Sequence, residues 1–232
     1  MTLVYQPLEN IMAFLVHILP GASVGLAIII VTVTVKIVLF PLTLKSTRVQ
    51  RKMREIQPEI TAIKERYPED RAEQSKQTIE LYQKHQVNPF SGCFPTLIQI
   101  PIIFGLYFVF WKGLQFDQTI LYSFVSMPVN PNYLFLGIFP LFGKSIILSL
   151  LAGVTQYFQI SLAMPKIDEK PKDKPSFQDD FARSMQLQMR YLFPVMMGFF
   201  AYATSSAVAL YWLTSNCVSI LQELYVQRGV KS

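Results

Sequence analysis

The chain has 232 residues, of which 51% are hydrophobic and only 16% charged, with a formal net charge of +6. A soluble domain carries about a quarter charged residues, so a water-soluble globule fits poorly, and the apolar excess lies in blocks rather than at core periodicity. Two cysteines, each inside an apolar block, and two histidines exclude a disulfide framework, a CxxC site and a histidine-based metal centre. The basic excess is not interleaved with exposed aromatics, so direct nucleic-acid recognition is not expected.

Residues 1–21 contain no Lys or Arg. Leu8, Ile11, Met12, Leu15, Ile18 and Leu19 recur at helical spacing, which predicts an amphipathic helix lying on the outer face of a membrane. Pro20-Gly21 then turns the chain into the bilayer. The segment lacks the basic n-region and small-residue cleavage site of a signal peptide.

A helix crossing the hydrocarbon needs about 20 apolar residues. Residues 22–44 supply the first span, interrupted once, by Lys36. Residues 45–88 are charged, with Met53, Ile56, Ile60, Ile63 and Tyr67 three or four apart. Pro68 ends this arm, and Glu69-Asp70 suit the positive end of a second helix. The expectation is a cytoplasmic antiparallel helical hairpin of net charge +3. It reads either as a solvated spacer or as a docking arm for lipid head groups, a ribosome or a substrate.

Residues 89–112 form the second span, 113–143 an outer loop, 144–164 the third span and 165–189 a cytoplasmic loop. The apolar stretch from Tyr191 to Tyr225 divides at Thr204-Ser205-Ser206 into a fourth span, 190–203, and a fifth, 207–226. Residues 227–232 are a cytoplasmic tail. A helix from Tyr191 to Ala203 covers only about 20 Å. Either the bilayer thins there or the helix starts earlier, within Phe181 to Arg190.

Lysine and arginine alternate along this plan. They crowd the first and third loops and the tail, while the N-terminal segment has none and the second loop, counted from Lys112 to Gly143, only Lys112. By the positive-inside rule the N-terminus is outside and the C-terminus cytoplasmic. The expected fold class is therefore all-α, a polytopic membrane protein with five transmembrane helices, a cytoplasmic hairpin and an N-terminal interfacial helix.

Lys36 precedes Lys45 by nine residues, so it lies about 13 Å into the span. Its stem can snorkel towards the interface, helped by Pro41, or it can face a water-filled cavity, the usual home of an intramembrane ion. Thr32 lies one turn away on the same face. Other spans carry polar stripes: Thr96 and Gln99; Gln156 and Gln159; and Trp212, Ser215, Asn216, Ser219 and Gln222 at i, i+3, i+4, i+7 and i+10. Each alone reads as ordinary interhelical hydrogen bonding. Four such stripes, one with a cation, point to a hydrophilic groove. No HExxH, GxSxG, paired intramembrane aspartate or P-loop occurs; no enzyme, cofactor or metal is indicated.

The run from Asn88 to Tyr107, NPFSGCFPTLIQIPIIFGLY, closely resembles the signature of the YidC/Oxa/Alb membrane protein insertases. Val35 to Thr43 (VKIVLFPLT), with Leu210 to Asn216 (LYWLTSN) and Ile220-Leu221-Gln222, resemble the family's groove-bearing first helix and its last helix. The resemblance implies a bacterial plasma-membrane insertase and chaperone, in a short form without the large outer domain of many Gram-negative members. It implies a groove open to cytoplasm and lipid but closed to the outside. Nascent membrane proteins would be the substrates, with the ribosome and Sec translocon as candidate partners beside membrane lipids, and a groove within one bundle permits a monomer. The carry-over reaches Lys36, where the family usually has arginine, and Thr32, Gln99, Trp212 and Ser215. A lysine can lose its proton where arginine cannot, so the groove must be wet for Lys36 to stay charged. The competing readings are a small transporter or channel subunit, which usually has repeated halves, and a non-translocating assembly factor. No internal repeat is found.

Overall fold

The computed structural model describes residues 2–88, 100–105, 108–109, 119–164 and 183–228. The described residues are mostly helical, and the chain separates into two compact units, Met1–Val38 with Ile102–Ser232, and Leu39–Pro101.

The first unit begins with α1 (Thr2–Ile18). Its apolar arc is wider than the amphipathic reading assumed. Met12, Ala13 and Val16 are fully buried and α1 packs against α2 (Val24–Val38), while Ile11, Phe14 and Ile18 remain exposed. The buried half also holds a polar clamp. Asn10 donates to the carbonyls of Gln6 (2.8 Å) and Ile120 (3.1 Å) and accepts from the Tyr122 amide at 2.6 Å. Gln6 adds a further bond to Ile120, at 3.1 Å. Asn10→Ala leaves a part-buried amide without its acceptor, at a cost of about 1–3 kcal/mol. The expected outcome is a lower midpoint of thermal unfolding in detergent together with faster proteolysis near residues 119–122.

The turn expected at Pro20-Gly21 is a short 3-10 helix, Pro20–Ala22, with Gly21 at φ 66°. Helix α2 is rich in Val, Ile and Thr, which are indifferent helix formers in water. A helix that lies in hydrocarbon must satisfy every backbone group internally, a requirement that overrides propensity. Pro41 has no amide to offer the carbonyl of Ile37, and the expected first span of residues 22–44 is accordingly divided at Leu39 into α2 and α3 (Phe40–Glu55).

Helix α6 (Ile146–Ala163) is capped by Ser145, whose hydroxyl accepts from the Leu148 amide at 3.3 Å. It is long and apolar enough to cross a membrane by itself; α2 reaches that standard only together with α3. The next segment is already helical at residue 183, so of the two alternatives the helix starts before Tyr191. It passes through a π turn, Gln188–Leu192, into α7 (Phe193–Thr204). Pro194 explains the wide turn, because it cannot donate to the preceding turn and its ring crowds that carbonyl. Ser205 is extended, and α8 (Ser206–Arg228) starts at once.

Helix α8 is central, packed against α2, α6 and α7. Helices α6 and α7 approach closely at Gly153 and Gly198. A Cβ on Gly153 would stand 3.2 Å from the Pro194 carbonyl oxygen, and one on Gly198 would stand 3.3 Å from that of Ser149. The expected outer loop contains an element the sequence reading did not foresee, a two-stranded antiparallel ribbon. In it β1 (Leu134–Phe135) pairs with β2 (Phe139–Pro140) in the register Leu134↔Pro140 and Phe135↔Phe139. The flanking chain is tied to helix ends. Val24 donates to the Asn132 carbonyl (3.1 Å) and Ala207 to that of Leu141 (3.0 Å), and the Ser206 amide and hydroxyl both donate to that of Gly143 (2.8 and 2.9 Å).

The second unit contains α3, α4 (Gln57–Arg66) and α5 (Arg71–Lys84). Pro58 breaks what the spacing suggested was one arm, separating α3 from α4 at Ile56. Helices α4 and α5 pair around Ile56, Ile60 and Leu81, with Met53, Ile63 and Tyr82 alongside. Glu59 and His85 form a further contact at 3.3 Å. Asp70 caps α5, accepting from the Glu73 amide at 2.9 Å. Asp70→Ala should cost about 1 kcal/mol, visible as a drop in helicity and thermal stability of the hairpin unit.

The expected second span, 89–112, is described only at residues 100–105 and 108–109, which are helical. Most of its signature run, with Thr96 and Gln99, lies outside the described residues, as do residues 165–182 of the third loop and 229–232 of the tail.

Candidate functional site

Lys36 sits in the last turn of α2, where that helix runs beside α8. Its ammonium donates to the Ser219 hydroxyl at 3.0 Å. The Gln222 amide, one turn further along α8, donates to the Lys36 backbone carbonyl at 3.1 Å. The side chain of Lys36 is therefore held at α8. Among the described residues it meets a neutral hydroxyl and forms no ion pair.

An ammonium in an apolar setting needs water, a carboxylate or several hydrogen bonds to remain charged. One hydroxyl answers only one of the three N–H donors of a lysine. The remaining capacity can be met by water or by an incoming anion.

The other residues of the sequence-level stripe diverge. Thr32 is buried one turn from Lys36, with its hydroxyl returned to the Ile28 carbonyl of its own helix at 2.7 Å. Ser215 is buried and shares a side-chain hydrogen bond with Tyr211. Asn216 is buried and points to α6, donating to the Ala152 carbonyl (3.2 Å) and towards the Thr155 hydroxyl (3.3 Å). Gln156, also buried, donates to the Gln159 side chain at 3.0 Å. Trp212 lies edge-on to Phe200 of α7, with ring centroids 5.8 Å apart. The polar face of α8 is thus divided among its three neighbours: Ser219 and Gln222 towards α2, Asn216 towards α6, Trp212 towards α7.

Two participants escaped the sequence reading. Thr155 lies on the flank beside the Gln156–Gln159 stripe, and Tyr211 lies one turn before Ser215. Neither breaks an apolar pattern sharply enough to stand out.

Taken together, these features define a class: a helical membrane protein with a lysine-bearing polar seam between two of its helices. The family model described as 60Kd inner membrane protein matches residues 15–232, and the chain belongs to that family. It is 32% identical over 231 residues to a protein of Fusobacterium nucleatum named membrane protein insertase YidC, covering 98% of both chains. A Clostridium tetani protein of the same name is 32% identical over 209 residues, which is 90% of this chain and 84% of that one. A Bradyrhizobium diazoefficiens protein, again of that name, is 33% identical over 232 residues, but the match covers 89% of this chain and only 34% of the relative. The chain therefore spans about a third of the length of some relatives and nearly all of others.

Proposed function

We infer that the chain is a membrane protein insertase and chaperone of the bacterial plasma membrane. It receives nascent membrane proteins through a hydrophilic groove open to cytoplasm and lipid. The observation that carries the groove is the Lys36 ammonium, held at α8 by the neutral Ser219 hydroxyl at 3.0 Å. Lys36 and Ser219 form its centre. Thr32, Gln99, Gln156, Gln159, Trp212, Ser215 and Asn216 complete the lining when the bundle opens.

The groove belongs to a chain crossing the membrane five times, at residues 22–44, 89–112, 144–164, 190–203 and 207–226. The N-terminus is outside and the C-terminus cytoplasmic, an orientation supported by the alternation of basic loops. The hairpin of residues 45–88 then projects into the cytoplasm, where it engages the substrate or a ribosome. A Sec translocon can cooperate, and one monomer suffices for one groove.

An insertase makes and breaks no covalent bond. It must carry a hydrophilic tail across without exposing it to hydrocarbon. A wet seam shortens the dry path, and Lys36 attracts acidic residues of an outward-moving tail. The membrane potential adds about 2.3 kcal/mol per elementary charge per 100 mV. Partition of the substrate's apolar helix into lipid supplies the rest.

The test is purified protein in vesicles under an imposed potential, scored for protease protection of a single-span substrate's tail and, separately, for uptake of small solutes. Tail protection without solute uptake is expected. Solute uptake without insertion would replace this reading with a transporter or channel subunit. Helices kept soluble with neither activity would replace it with a non-translocating assembly factor.

A further inference from the structure

The ribbon in the expected outer loop carries an apolar tip that the insertase reading does not use. In the turn that the Ile138 amide closes on the Phe135 carbonyl (3.2 Å), the two central residues, Leu136 and Gly137, have φ of 53° and 69°. This left-handed pair is what a tight hairpin turn of this kind requires, and it is usually supplied by Asn-Gly or Asp-Gly. A leucine is costly in that conformation. Leu136 gains nothing from the chain's own core in return, since it is 71% exposed, as is Ile138 beside it. Residues 119–143 contain no Asp, Glu, Lys or Arg.

The ribbon's two faces differ. Phe135 sits over Gly25 of α2, so closely that no Cβ could fit there, and Phe139 packs on the cluster of Leu148, Ala201 and Ala209. Leu134, on the opposite face, and the tip are left exposed. The bonds from Val24, Ser206 and Ala207 fix the surrounding chain to the start of α2 and the start of α8. Ser145 follows and caps α6, whose first residues, Ile146 and Ile147, are also exposed. Exposed apolar residues thus stand both at the tip and at the start of α6, with the exposed Lys144 between them in sequence.

We propose that this tip is a lipid anchor: Leu134, Leu136 and Ile138 insert into the bilayer leaflet at the N-terminal end of α6. The occupant is the interfacial acyl region rather than a soluble protein. The ribbon's base packs through Phe139 on the cluster that holds Leu148 of α6, and residues 119–143 lack the charged groups that usually rim a protein interface. Insertion compensates a leucine held in a costly backbone conformation and fixes the depth at which the ends of α2, α6 and α8 sit. The proposal rests on α6 spanning the membrane, and the experiment separates the two.

Full-length protein carrying Cys93→Ser and Cys217→Ser receives one new cysteine, Leu136→Cys, Val154→Cys in mid-α6 or Glu69→Cys in the hairpin unit. Each is labelled with an environment-sensitive fluorophore. Reconstitution is into phosphatidylcholine–phosphatidylglycerol vesicles containing lipids with a nitroxide either near the head group or deep in the acyl chain. The expected result is strong quenching at position 136 by the shallow nitroxide, at 154 by the deep one, and at 69 by neither. Water-like, unquenched emission at 136 with quenching at 154 overturns the anchor and leaves the membrane reading standing. No quenching at 154 overturns both. Emission at 136 that changes with the protein-to-lipid ratio means that a second copy covers the tip, which also overturns the anchor.

Discussion

Lys36→Glu is expected to abolish insertion of single-span substrates with acidic tails, while Lys36→Arg preserves it. The exchange turns attraction for a tail carboxylate into repulsion. In a partly wet site a change of about 3 kcal/mol is reasonable, or roughly 100-fold in rate. Substrates with uncharged tails should be far less affected. The variant should still fold, because the Ser219 hydroxyl that accepts from the ammonium can donate to a carboxylate. The measurement is the yield of protease-protected tail in vesicles containing purified variant, beside its thermal unfolding in detergent. Equal insertion of acidic tails by the glutamate variant would remove the electrostatic role. A collapse in unfolding temperature would make Lys36 a structural residue instead.

The second large effect concerns packing. Gly153→Leu, or Gly198→Leu, should prevent α6 and α7 from closing, because the obstructing atoms are backbone, the Pro194 and Ser149 carbonyls and the facing glycine Cα. Backbone cannot rotate away as a side chain does. Overpacking of this kind costs about 1–3 kcal/mol for one added methylene or methyl group and more for a branched side chain. Gly153→Ala should therefore lower the unfolding temperature in detergent, and Gly153→Leu should lose most folded protein. A leucine variant with wild-type melting behaviour would show that the two helices are not closely apposed in the membrane.

Lys36 was legible in the sequence because a cation in an apolar run violates the pattern around it. Its partner on α8 was also within reach: Ser219 and Gln222 lie on the stripe that periodicity revealed. Periodicity could not say that the stripe would be divided. A stripe at i, i+3, i+4 and i+7 spans a broad arc, and α8 is wedged among α2, α6 and α7, so neighbouring polar residues reach different helices. Asn216 therefore binds the Ala152 carbonyl instead of joining Lys36.

The fold was legible to a similar depth. Apolar blocks placed the helices, and Pro41, Pro58 and Pro194 each mark a break or distortion. A proline shows where regularity fails but not which geometry follows, so neither the division at Leu39 nor the π turn at Gln188–Leu192 could be specified. The ribbon at Leu134–Pro140 was hidden for another reason. Its turn uses Leu-Gly where hairpins usually show Asn-Gly, and strands of two residues are too short to display alternation. Asn10 was hidden inside an apolar pattern, since one amide on a half-buried helix looks unremarkable until its partners at residues 120 and 122 are known.

The central claim is that a substrate's hydrophilic tail passes along the seam between α2 and α8. Ser219 lies on that seam, while Leu221, two residues on, is an exposed apolar residue of the same helix. In a chain with Cys93→Ser and Cys217→Ser, Ser219→Cys and Leu221→Cys can each be tested for disulfide formation with a cysteine in the tail of a substrate caught during insertion. The tail is predicted to cross-link to position 219 and not to position 221. Insertion at the normal rate without a bond at 219, or with equal bonding at both positions, would contradict a tail path through the Lys36 seam.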